Sequence, residues 1–136
     1  MIEIKTISSY DEWLDYKNLH DPNTHKYIFQ VSATWCKPCI ALKPLLFNFL
    51  ESLNENISKN ISFIMLDYDI YNDDLEFQQI FIIKKIPHFS FYFQNKSIID
   101  VETSKFEEIK EQIINFINNN NNINININNF TLSDDF

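Results

Sequence analysis

Cys36 and Cys39 are the only two cysteines in the chain, and two residues separate them. Thiols at that spacing meet when the segment opens a helix, because one turn brings residue i+3 beside residue i. A short β-prone run, Tyr27 to Ala33, leads into them and a helical pattern follows. That places Cys36 at a helix amino terminus, where free N–H groups and the helix dipole favour a thiolate. The chemistry implied is dithiol–disulfide exchange, with Cys36 as the attacking nucleophile and Cys39, one turn deeper and less exposed, as the resolving thiol. Pro38 limits the freedom of the loop between them. Trp35 offers an apolar face beside the sulfurs, suited to excluding water and docking an extended peptide, although core packing alone would also account for it. Two cysteines so close together cannot form the disulfide framework of a small secreted domain. They would also fill only half of a tetrahedral metal site, for which His88 is the one further ligand to suggest itself. No metal and no cofactor is expected.

The elements that must position this pair follow from hydrophobic periodicity. Ile2 to Ile7 alternates like an edge strand, and Ser9 suits the cap of a helix over Tyr10 to Leu19. Tyr27 to Ala33 reads as a buried strand bounded by turn residues. From Cys36 to Leu53, apolar residues recur at helical spacing with Pro44 inside the run, which should kink it. Ile61 to Asp69 reads as a second buried strand, and Asp73-Asp74 as the start of a short helix through Phe81. His88 to Gln94 and Ser97 to Val101 read as a hairpin turning at Asn95-Lys96. Ser104 and Glu107 have the spacing of a capping box that opens a last helix through Ile117. The order of elements predicts an α/β fold with a central mixed sheet and helices on both faces. His20 and His25, beside an Asp-Pro turn, read as solvent-exposed loop residues.

Length and composition bound the rest. With 136 residues, 45% of them hydrophobic and thirteen phenylalanines, the chain can bury one core without a staple. A formal charge of −8 opposes phosphate backbones and acidic lipid, so neither nucleic acid nor a membrane is expected as a partner. No signal peptide or long apolar run is visible at the amino terminus, so a cytoplasmic monomer is expected. Glycine is absent and asparagine abundant, which suggests a compositional bias and deprives single Asn residues of weight. That applies to the Asn-x-Ser/Thr triplets at Asn56, Asn60, Asn95 and Asn129. The asparagine-rich stretch after Asn118 reads as a low-complexity tail.

The segment Ala33-Thr34-Trp35-Cys36-Lys37-Pro38-Cys39 resembles the active-site motif of the thioredoxin family, with Lys37 where the family usually has Gly. Pro44, eight residues after Cys36, matches the family's kinking proline. Ile86-Pro87 matches its cis-proline loop, and the capped final helix agrees too. The resemblance implies a thioredoxin fold over residues 1–118, with residues 119–136 as a tail. It also implies that Pro87 is cis and that Ile86 pairs its backbone with a substrate strand. Trp35, Lys37, Pro38, Ile86, Pro87 and His88 then form the substrate-binding surface, with Cys36 and Cys39 catalytic. Three positions depart from the family. Gln30 stands where a buried Asp is common and cannot titrate; Met65 stands in place of its Lys partner. His88 replaces the usual Thr after the cis-proline, and there its imidazole could approach Cys36.

These residues predict a protein disulfide reductase that cycles through a mixed disulfide and serves cell redox homeostasis. It would act on proteins bearing disulfides and be recharged by a thioredoxin reductase or a small-thiol reductant. An oxidase or isomerase of the same fold, and a redox-inactive thioredoxin-like adaptor, are the alternatives. The Lys37 cation beside Cys36 should stabilise its thiolate and so make the couple less reducing. Lys37→Gly is therefore expected to shift the redox potential to a more negative value by on the order of 20 mV in a thiol-buffer titration. An unchanged potential would mean that the charge is fully screened.

Overall fold

Strand pairing fixes where the cysteine segment lies. A computed structural model describes residues 1–119. Its sheet comprises β1 (Glu3–Ile7), β2 (Lys26–Ser32), β3 (Ile61–Asp67), β4 (His88–Phe93) and β5 (Lys96–Glu102), in the order β1-β3-β2-β4-β5. β1 and β2 run parallel to β3, while β4 lies antiparallel to both β2 and β5. Parallel neighbours need crossovers, and helices α1 (Tyr10–Lys17) and α2 (Lys37–Glu51) lie in these connections. α3 (Glu55–Ser58), α4 (Tyr68–Asp73), α5 (Leu75–Ile80) and α6 (Phe106–Asn118) complete the order. The mixed sheet with helices on both faces is the fold expected above.

Alternation along β2 and β4 divides the core. Ile28, Phe89, Phe91 and Phe93 face α2 and α6, meeting Leu42, Leu46, Ile109, Ile113 and Phe116. Tyr27, Phe29, Val31 and Tyr92 face the other side, against Trp13 and Tyr16 of α1, Tyr71 of α4 and Phe77 of α5. Lys26, on the first face, ties α6 down by donating from Nζ to the carbonyls of Phe116 at 2.6 Å and Asn119 at 2.8 Å.

The structure corrects several details. β3 stops at Asp67, whose carboxylate accepts the Asp69 N–H at 2.8 Å and turns the chain into α4. Tyr68 and Asp69, expected in the strand, are therefore helical. Asp74 caps α5 rather than sharing the opening of one helix with Asp73. α2 ends at Glu51, and Pro44 lies within it. The capping box at Ser104 and Glu107 does not form. Lys105 is the cap residue and makes no side-chain capping bond; Thr103 Oγ1 instead accepts the Lys105 N–H at 3.0 Å and donates to Glu108 at 2.6 Å. The hairpin turns at Gln94 and Asn95, with φ of 53° and 66°, so Lys96 already belongs to β5. In a chain without glycine, left-handed positions fall to other residues, and Asn tolerates them best. The asparagine-rich tail from 120 onward lies outside the described residues.

His25 is the clearest reversal, being buried rather than exposed. Its N–H bonds back to the Asp21 carbonyl at 2.9 Å, and its Nε2 meets Ser62 Oγ at 2.8 Å. Its ring stacks on His20 at 3.9 Å. Burial, and then the His20 charge, push its pKa down to about 4. The unfolded value is about 6.5, so the unfolded chain binds the extra proton first. Stability that is present above about pH 6.5 should be lost as pH falls toward 4. The melting temperature of the wild type should drop more steeply across that window than that of His25→Gln, and parallel curves would contradict this reading.

Candidate active site

β2 is buried along its length except at Ser32, and the chain leaves the sheet through Ala33. The Ala33 carbonyl accepts the Cys36 N–H at 3.1 Å, a tight turn that delivers Cys36 to the N-cap of α2. There its backbone is extended, with φ −90° and ψ 104°, and its Sγ accepts the Cys39 N–H at 3.3 Å. Sulfur thus takes the place that a Ser or Asp oxygen commonly fills at a helix start. Pro38 falls in the first turn, where a missing N–H costs nothing. That turn begins with Lys37 and holds no acidic residue, so no carboxylate of the turn opposes the N–H dipoles that face Cys36 Sγ.

Cys36 and Cys39 form a disulfide with their Cα atoms 5.3 Å apart. Both are buried, at 5% and 4% exposure, so the oxidised pair shows little of the difference in exposure expected between Cys36 and Cys39. Sharing one bond at the turn, the two sulfurs share one covering. Ala33, Tyr68 and Ile86 pack around them. The Ile86-Pro87 bond is cis. Trp35 is 64% exposed and lies T-shaped to Tyr68, with ring centres 6.5 Å apart, so it presents an apolar face to solvent rather than filling the core. Lys37 and Pro38 are exposed beside it.

His88 goes elsewhere. Strand alternation puts it on the face of β4 opposite Phe89 and α2, where its ring stacks on Phe81 with centres 5.6 Å apart. Nδ1 faces Glu102 at 3.3 Å and Nε2 faces Asp100 at 3.1 Å. The imidazole is thereby engaged by β5 and does not join Cys36 and Cys39 as a proton donor or metal ligand. Among the described residues, no group of three or more His, Cys, Asp or Glu side chains could hold a metal ion.

Gln30 lies on the α2 face of β2, 2% exposed and opposite Met65 of β3. Its Oε1 has no hydrogen-bond partner among the described residues. A cleft lined by Ser32, Thr34, Lys43, Met65 and Asp67 opens onto Cys39. Sequence reasoning missed Tyr68 and this cleft; Asp67-Tyr68-Asp69 carries the pattern of an Asx-capped turn that would have ended β3 earlier.

No helix among the described residues is long and apolar enough to cross a membrane. A family model described as Thioredoxin matches residues 8–119. The thioredoxin of Callithrix jacchus is 29% identical over 90 residues, covering 66% of this chain and 78% of the relative. That of Ophiophagus hannah is 28% identical over 86 residues, covering 63% and 74%. The crystal structure of a thioredoxin from Nicotiana alata superposes with a TM-score of 0.69 at 21% identity, covering 85% of this chain and 93% of that one.

Proposed function

With the chain a member of the thioredoxin family and a thiol–disulfide oxidoreductase, we propose that its Cys36–Cys39 pair is a protein disulfide reductase. The observation that carries this reading is the Cys39 N–H aimed at Cys36 Sγ at the amino terminus of α2, beside the cis Ile86-Pro87 bond. In the reduced protein the same N–H stabilises the Cys36 thiolate. That thiolate attacks one sulfur of a substrate disulfide; the bond between the substrate sulfurs breaks, and the displaced sulfur leaves as a thiolate that takes a proton. Cys39 then loses its proton and attacks Cys36 Sγ. The mixed disulfide breaks, the second substrate thiol departs, and the Cys36–Cys39 bond closes. Two electrons pass from the protein to the substrate.

Trp35, Lys37 and Pro38 on one side and Ile86 and Pro87 on the other form the surface for an extended substrate segment, which pairs with the Ile86 backbone. His88 supports this surface from behind. A thioredoxin reductase or small-thiol reductant returns the pair to the dithiol, and the setting is redox homeostasis in a reducing compartment such as the cytoplasm, with the protein acting as a monomer. The uncharged pair Gln30 and Met65 favours a second reading, an oxidase or isomerase, because no buried acid assists Cys39.

Cys39→Ser incubated with insulin is expected to accumulate a disulfide-linked adduct through Cys36, released by dithiothreitol and visible on a non-reducing gel. Cys36→Ser should form none, and both variants should lose insulin reduction above the dithiothreitol background. Adducts from Cys36→Ser but not from Cys39→Ser would reverse the two roles.

A further inference from the structure

Residues 81–87 link α5 to β4 without regular secondary structure, and they carry Ile86 and Pro87 to the disulfide. Backbone there must find partners outside any ladder, and two side chains supply them. Tyr71 of α4 donates its hydroxyl to the Phe81 carbonyl at 2.9 Å and accepts the Ile83 N–H at 3.1 Å. Glu102, the last residue of β5, accepts the Lys84 N–H at 3.0 Å and the Lys85 N–H at 3.4 Å, both on Oε2. The same oxygen lies 3.3 Å from His88 Nδ1, and the other ring nitrogen is 3.1 Å from Asp100. His88 is itself clamped, 1% exposed and the third ring of a near-parallel column with Phe81 and Tyr71.

We infer that Glu102 is a positioning residue for substrate binding: its carboxylate, oriented by His88, holds the loop that presents Ile86 to the substrate strand. This rests on the proposed pairing of Ile86 with a protein substrate. The loop meets Glu102 on the two residues immediately before Ile86, so a carboxylate remote from the sulfurs sets where the Ile86 backbone points. Burial raises the Glu102 pKa, but the Lys84 N–H, the His88 ring and the Lys85 N–H together outweigh it and hold the carboxyl below its usual range. The acceptor is thus charged at neutral pH, which strengthens both backbone bonds. A small disulfide needs only the Cys36 sulfur; an extended polypeptide needs the loop as well. Glu102 therefore separates the two substrates without touching either.

The test compares wild type, Glu102→Ala and Glu102→Gln, turning over on insulin with dithiothreitol as the reductant and, pre-reduced, in a single turnover on 5,5′-dithiobis(2-nitrobenzoic acid). With the aromatic disulfide, the protein dithiol is oxidised to the Cys36–Cys39 bond and two aryl thiols are released. Glu102→Ala should raise KM for insulin about tenfold, the equivalent of one charge-assisted hydrogen bond, with kcat little changed. Its rate with the aromatic disulfide should stay within about twofold of wild type, which also shows that the variant is folded. Glu102→Gln keeps a carbonyl acceptor and should recover most of the loss. Equal insulin kinetics in Glu102→Ala and wild type, or a parallel loss on both substrates, would overturn the inference. Wild type that reduces the aromatic disulfide but not insulin would instead overturn the reductase reading on which it rests.

Discussion

The leftover N–H groups at the start of α2 are the constraint on which the site depends. A helix leaves its first N–H groups without internal partners, and a strand buried on both faces must deliver the chain to that point without slack. β2 does so between β3 and β4. Its register places Ser32 and Ala33 at the rim, the Ala33 carbonyl closes the turn, and Cys36 receives the Cys39 N–H. Moving β2 by one residue would exchange its two faces and turn Tyr27, Phe29 and Val31 toward α2. The placement of the sulfur is therefore specified by the same packing that stabilises the fold.

A second consequence concerns proton movement. With Gln30 and Met65 paired in the sheet, the α2 face of β2 offers no ionisable group at that level. The way from Cys39 to solvent runs along the cleft that holds Ser32, Thr34, Lys43 and Asp67. In the proposed mechanism Cys39 therefore exchanges its proton with solvent rather than with an acid at the Gln30 position. Lys43 and Asp67 line that path, whereas the buried Gln30 Oε1 has no partner among the described residues.

The cysteines, the strand before them and the helix after them were legible because each is a local pattern: a spacing, an apolar run and a helical period. Resemblance to a family added the cis bond at Ile86-Pro87, which no local pattern specifies. The short helices α3 and α4 escaped because four to six residues hold too little periodicity, and Asn54 and Asp67 mark their starts only through single capping bonds. His25 reads as exposed in the sequence because loop composition says nothing of a partner 37 residues away at Ser62. His88 lies next to the proline loop in sequence, but strand alternation turns it to the opposite face, toward Glu102 and Asp100. Long-range polar contacts of that kind leave no periodic trace, and the residue that anchors the substrate loop is found only from coordinates.

The central claim is that Cys36 and Cys39 act as one two-electron couple poised for reduction of other proteins. Equilibrating the protein in dithiothreitol redox buffers, then alkylating free thiols and reading the mass, tests it most directly. The account predicts that both thiols appear together, following a two-electron Nernst curve with a midpoint within a few tens of millivolts of about −270 mV. Thiols that titrate separately, or a midpoint near about −120 mV, would contradict it.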